Sequence, residues 1–123
     1  MNCNTYAADI LRAIGMHPRY RGYSYMLHIL TMTSEKPEYV HRVSCVLYRS
    51  VADEFSVSVT SIERSIRFAI KRTWESGNRQ RLMLMFGDYD LNYVPTNCEF
   101  IAVMTECLRH KRIKTTDFLS IAN

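Results

Sequence analysis

Residues 56–75 read Ser56-Val57-Ser58-Val59-Thr60-Ser61-Ile62-Glu63-Arg64-Ser65-Ile66-Arg67-Phe68-Ala69-Ile70-Lys71-Arg72-Thr73-Trp74-Glu75. At about 100° of rotation per residue, Val59, Ile62, Ile66, Ala69, Ile70 and Thr73 fall on one helix face, with Trp74 at its border. Thr60, Arg64, Phe68 and Lys71 fall on the opposite face, flanked by Ser61, Arg67 and Arg72. One side is built to pack and the other to present cations. Ser56-Val57-Ser58 separates this helix from an earlier apolar pattern that ends at Phe55. Two helices joined by about three residues have the spacing of a helix-turn-helix, here over about 40–75.

Charge is concentrated in the same place. Residues 55–81 hold Arg64, Arg67, Lys71, Arg72, Arg79 and Arg81 against Glu63 and Glu75, a local +4. Residues 1–54 carry +1 and residues 82–123 carry −1, which together account for the net +4 of the chain. A local basic stripe is the footprint of a polyanionic partner, although a solvated basic face has the same composition.

The remaining segments are also helical in period. Tyr6, Ala7, Ile10, Leu11 and Ile14 fit a first helix, with Thr5 as its cap and Gly15 at its end. His17-Pro18 forbids continuation. Gly22 opens a second segment over Tyr23–Met32, whose Tyr25, Leu27, Ile29 and Leu30 are core candidates. A third helix, capped by Ser34 with Pro37 in its first turn, carries Val40, Val43, Val46, Leu47, Val51, Ala52 and Phe55 and bends near Tyr48. After Gly77-Asn78, a short helix spans about Arg79–Phe86, and 88–94 is irregular. Thr96 caps a last helix, with Glu99 returning to the cap's own N–H. Phe100, Ile101, Val103, Met104, Cys107 and Leu108 form its buried face. In the tail, 111–123, only a short helix around 117–121 is suggested. The expectation is a single all-α domain of 123 residues.

Several classes are disfavoured. Cys3, Cys45, Cys98 and Cys107 form no CxxC pair and read as reduced thiols. His41 and Cys45 stand at i, i+4 but no second pair completes a metal site. No Ser/His/Asp constellation, glycine-rich phosphate loop or paired-carboxylate site emerges, so neither an enzyme nor a cofactor is expected. No apolar run approaches the ~20 residues of a membrane span, and the N-terminus has no secretory pattern. A cytoplasmic protein without membrane contact is the expectation.

Val46-Leu-Tyr, Val51-Ala, Ile62-Glu-Arg-Ser-Ile-Arg-Phe-Ala-Ile and Trp74-Glu-Ser-Gly-Asn together resemble the C-terminal effector domain of stage-0 sporulation protein A. Arg21-Gly-Tyr-Ser-Tyr-Met, Phe86-Gly87 and Pro95-Thr-Asn-Cys-Glu-Phe-Ile-Ala extend the resemblance, in order and spacing, over roughly residues 5–110. It implies a compact bundle of about six helices of the winged-helix or response-regulator-effector type, and a DNA-binding transcription regulator of sporulation that docks head to tail on short promoter repeats in double-stranded DNA. It also implies RNA polymerase sigma factor as a partner. The family's recognition helix enters the major groove through residues matching Ser61, Glu63, Arg64, Arg67 and Phe68. In the family an arginine usually stands at Ser61, a histidine at Phe68, an arginine at Ser76 and a lysine at Val94. The family's usual protein also carries a receiver domain ahead of this region. This chain shows no receiver-type acidic cluster, so a piece of a longer protein and a free-standing effector both remain open.

These substitutions bear on chemistry. Arginine grips guanine O6 and N7 through two parallel hydrogen bonds, worth roughly 1–3 kcal/mol of discrimination. Serine reaches less far, so altered or relaxed specificity is expected at Ser61. Glu63 has two readings, a contact to cytosine or the second half of a Thr60-x-x-Glu63 capping box. Arg64 and Arg67 lie near the outward face. Phe68 suits a thymine methyl or a partner protein. Thr60, Lys71, Arg72, Arg79 and Arg81 are candidates for phosphates. The alternative is a protein-interaction module, an antagonist that keeps the fold but has lost or altered operator binding.

Overall fold

Gly22 determines how closely two helices can pass. In the computed structural model, which describes residues 3–87 and 90–110, a Cβ added at Gly22 would lie 2.4 Å from the Ser65 carbonyl oxygen and 2.8 Å from the Ala69 Cβ. Helix α2 (Arg21–Glu35) therefore lies directly against α4 (Val59–Ser76), backbone to backbone at that point. Around this crossing are α1 (Cys3–Ile14), α3 (Arg49–Phe55), α5 (Arg79–Phe86) and α6 (Asn97–His110). No strand occurs among the described residues.

The core follows the apolar periods. Leu11, Ile14, Met26, Ile29, Leu30, Leu47, Ile62, Ile66, Ile70, Phe86, Phe100 and Met104 are essentially sealed from solvent. Each such side chain contributes about 1.5–3 kcal/mol relative to exposure. Trp74, placed at a border by the period, is buried: its ring meets Phe86 edge-on at 5.0 Å, and Phe86 stacks on Phe100 at 5.6 Å. This aromatic group joins α4 to α5 and α6. Deep between α2 and α6 the Thr33 and Thr105 hydroxyls satisfy one another at 2.7 Å. Two buried hydroxyls so paired avoid the cost of an unmet hydrogen bond.

The ends of α1 and α4 meet at two glycines. Gly15 has φ +103°, open to glycine but strained for other residues, and a Cβ there would lie 2.6 Å from the Gly77 Cα. The Asn78 N–H donates to the Ile14 carbonyl at 3.0 Å, so the turn after α4 is tied to the end of α1.

The segment expected to be one bent helix is instead three pieces. Pro37–His41 forms a 3₁₀ turn, Val43–Tyr48 a π-helical turn, and only Arg49–Phe55 is α-helical. The expected bend near Tyr48 falls at the change from π to α. Around Arg42 the carbonyl accepts from both the Val46 and Leu47 N–H groups, at 3.0 and 3.3 Å. The i, i+4 spacing of His41 and Cys45 thus spans a break between two helix types. Three caps are also corrected. Ser34 lies inside α2, which continues to Glu35, and Thr5 lies inside α1, which begins at Cys3. Helix α4 is capped by Ser58, whose Oγ accepts the Ser61 N–H at 3.0 Å, and not by Thr60. The α6 capping box is present as expected: Glu99 N donates to Thr96 Oγ1 at 3.1 Å and Thr96 N donates to Glu99 Oε1 at 2.8 Å. The short helix expected around 117–121 lies outside the described residues.

Candidate DNA interface

Helix α3 ends at Ser56, which adopts the left-handed conformation (φ 56°, ψ 45°), while the Val57 N–H returns to the Ala52 carbonyl at 3.1 Å. This is a Schellman-type closure, usually occupied by glycine. Two residues later Ser58 caps α4, so the two helices are joined by the three-residue turn Ser56-Val57-Ser58. With Ile62, Ile66, Ala69, Ile70, Thr73 and Trp74 buried, the opposite face of α4 points to solvent.

Arg64 is exposed in the middle of that face, and it has no ion-pair partner among the described residues. Thr60, Glu63 and Lys71 are exposed around it. Because Ser58 caps the helix, the Glu63 carboxylate has no capping task, and the capping reading of that residue is withdrawn. Glu63, Arg64 and Arg67 line one wall of a groove of about 570 Å³, with Tyr48 and Asn97 opposite.

Arg67 differs from Arg64. Its guanidinium donates to the Pro95 carbonyl, which fixes the side chain across to the start of α6. Asn97 reinforces the same junction, its Nδ2 donating to the Tyr48 hydroxyl at 3.0 Å and to the Glu63 carbonyl at 3.2 Å. Burial pushes the Tyr48 phenol upward, against the hydrogen bond from Asn97.

On the opposite flank the contacts are aromatic. Phe68 is 55% exposed, yet Tyr20 meets its ring edge-on at 5.6 Å and 88°. The Tyr20 hydroxyl beside Arg72, together with Glu75 at 3.2 Å, holds that guanidinium still further toward its charged form. Ser61 is partly exposed with its N–H committed to Ser58. Ser76 turns its hydroxyl back to the Arg72 carbonyl at 2.9 Å.

Arg79 and Arg81 sit apart, at the start of α5, beside a second open groove that includes Arg12 and Gly77. Arg79 is exposed and reaches the Leu91 carbonyl at 3.5 Å. Arg81 is partly buried and donates to the Ala13 carbonyl at 2.9 Å. Two partners of the site were not read from sequence. Tyr20 stands in a turn defined by its proline, and Asn97 within the start of a helix. No linear period connects either to α4.

Among the described residues no three His, Cys, Asp or Glu side chains cluster as metal ligands, and no helix is long and apolar enough to cross a membrane. The family model described as sporulation initiation factor Spo0A C terminal matches residues 7–108 of the chain.

Proposed function

We propose, for a chain that belongs to the family of sporulation initiation factor Spo0A C-terminal domains, that it reads duplex DNA by laying α4 in the major groove. Domains of this family are the DNA-binding effectors of a sporulation regulator. The observation that carries the finer reading is Arg64: an exposed guanidinium, without an ion-pair partner among the described residues, at the centre of the α4 face that points away from the core.

In this reading Arg64 grips a guanine edge and Glu63, relieved of capping, accepts from a cytosine amino group. Phe68 covers a thymine methyl, and Ser61 contributes at most one hydrogen bond. Arg67 supports the reading face through its bond to Pro95 and reaches a base only by exchanging that partner. Thr60, Lys71, Arg72 and Arg79 face phosphates. Arg81 adds charge near the backbone from its tethered position. Copies dock head to tail on tandem promoter repeats, where sigma factor is the partner, and the chain regulates transcription in the cytoplasm.

Selection from a random duplex library tests binding and defines the preferred site together. Arg64→Ala is expected to weaken the selected site by about 1–3 kcal/mol, roughly 5- to 150-fold, while weakening random duplex much less. Arg79→Ala is expected to weaken both alike. Unchanged affinity of Arg64→Ala for the selected duplex would remove α4 as the reading helix. A chain that ignores duplex yet co-purifies with a full-length relative would establish the antagonist instead.

A further inference from the structure

We propose that the turn between α1 and α2, through Arg19 and Arg21, is a second DNA-contacting element that takes the phosphate backbone beside α4. This rests on the major-groove reading above. An α-helix with its side chains is about 10–12 Å across and the major groove is about 12 Å wide. A helix in the groove therefore fills it, and whatever packs against the helix near its outward edge meets a phosphate strand.

The α1–α2 turn occupies that position. Gly22, the second residue of α2, rests on Ser65 and Ala69, so Arg21 emerges beside the middle of α4. Tyr20 touches Phe68 on the outward face. The turn is ordered by its own contacts: the Arg19 N–H donates to His17 Nδ1 at 3.1 Å, the Tyr20 N–H to the His17 carbonyl at 3.1 Å, and the His17 and Tyr20 rings lie 5.9 Å apart. Two cations are thus carried on a fixed support.

Their charge is also unspent. Arg19 and Arg21 are exposed and neither has a carboxylate partner among the described residues, whereas Arg12 is paired with Asp9 and Arg72 with Glu75. Glu75, which follows Arg72 by one helical turn, is engaged by it at 3.2 Å. Among the described residues, the cationic surface of α4 therefore continues across Tyr20 to two arginines that form no ion pair. A count along the chain conceals this, because residues 1–54 sum to only +1.

Salt titration of duplex binding measures the proposal. Each phosphate neutralised adds about 0.9 to the slope of log affinity against log salt. The R19A/R21A double variant is expected to lower that slope by about 2, and to weaken selected and random duplexes alike by roughly tenfold or more near 0.1 M salt. R19K/R21K, which keeps both charges, is expected to retain most of the slope. An unchanged slope in R19A/R21A, in a chain whose selected site is still weakened by R64A, would overturn this contact and leave the groove reading standing. A loss confined to the selected site, with the slope intact, would overturn it as well. Failure of the unmodified chain to bind any duplex would overturn both.

Discussion

Helix α4 is held differently on its two flanks. Toward α6 it is clasped by hydrogen bonds: Arg67 reaches the Pro95 carbonyl, and Asn97 reaches the Glu63 carbonyl. Toward α2 it is held by close approach, with Gly22 against Ser65 and Ala69 and the Tyr20 ring against Phe68. A hydrogen-bonded clasp is directional and fixes rotation and register, while backbone contact fixes distance. The exposed face of α4 lies between a flank that sets its angle and a flank that sets its depth.

That division gives a ranked set of outcomes. Gly22→Val is expected to have the largest effect, because the new side chain would meet backbone that cannot step aside. A loss of about 1–3 kcal/mol or more in a denaturant titration is expected. A loss below 0.5 kcal/mol, well under that range, would mean that α2 does not set the depth of α4. Asn97→Ala removes two hydrogen bonds at the other flank and is expected to cost about 1 kcal/mol. Its diagnostic sign is a changed chemical shift at the Glu63 carbonyl with the core amides undisturbed. Phe68→Ala is expected to be the mildest for stability, about 0.5–1 kcal/mol from the edge-to-face contact with Tyr20. A greater cost for Phe68→Ala than for Asn97→Ala would reverse the ranking of the two flanks.

The regular parts of the fold were legible because their periods are long and their ends carry specific chemistry. Helix α5 and the turn at Ser56-Val57-Ser58 lie where their spacing places them, and Thr96 with Glu99 forms the reciprocal cap that its pattern specifies. Residues 37–55 misled because a 3.6-residue period reports which side chains face inward, not how many residues each turn contains. Val43, Leu47, Val51 and Ala52 are buried as expected, but the backbone reaches that result through 3₁₀, π and α turns in succession. At the interface, the cations of α4 were visible as local charge. Their engagement was not: Arg64 and Arg67 are equivalent in sequence, and only the position of Pro95 separates them. Thr60-x-x-Glu63 has the spacing of a capping box, yet Ser58 precedes it and closes the helix first.

The π turn at Val43–Tyr48 has one consequence for how the chain tolerates changes of length. A π turn accommodates one residue more than the α turn it replaces, its hydrogen bonds running i→i+5. A one-residue deletion there can be absorbed by reversion to α geometry, leaving Val51 and Ala52 facing inward. The same deletion within α4 has no spare turn to draw on, and would rotate Arg64 by about 100° relative to the core. The helix that carries Arg64 is intolerant of altered length, and the element before it carries the slack.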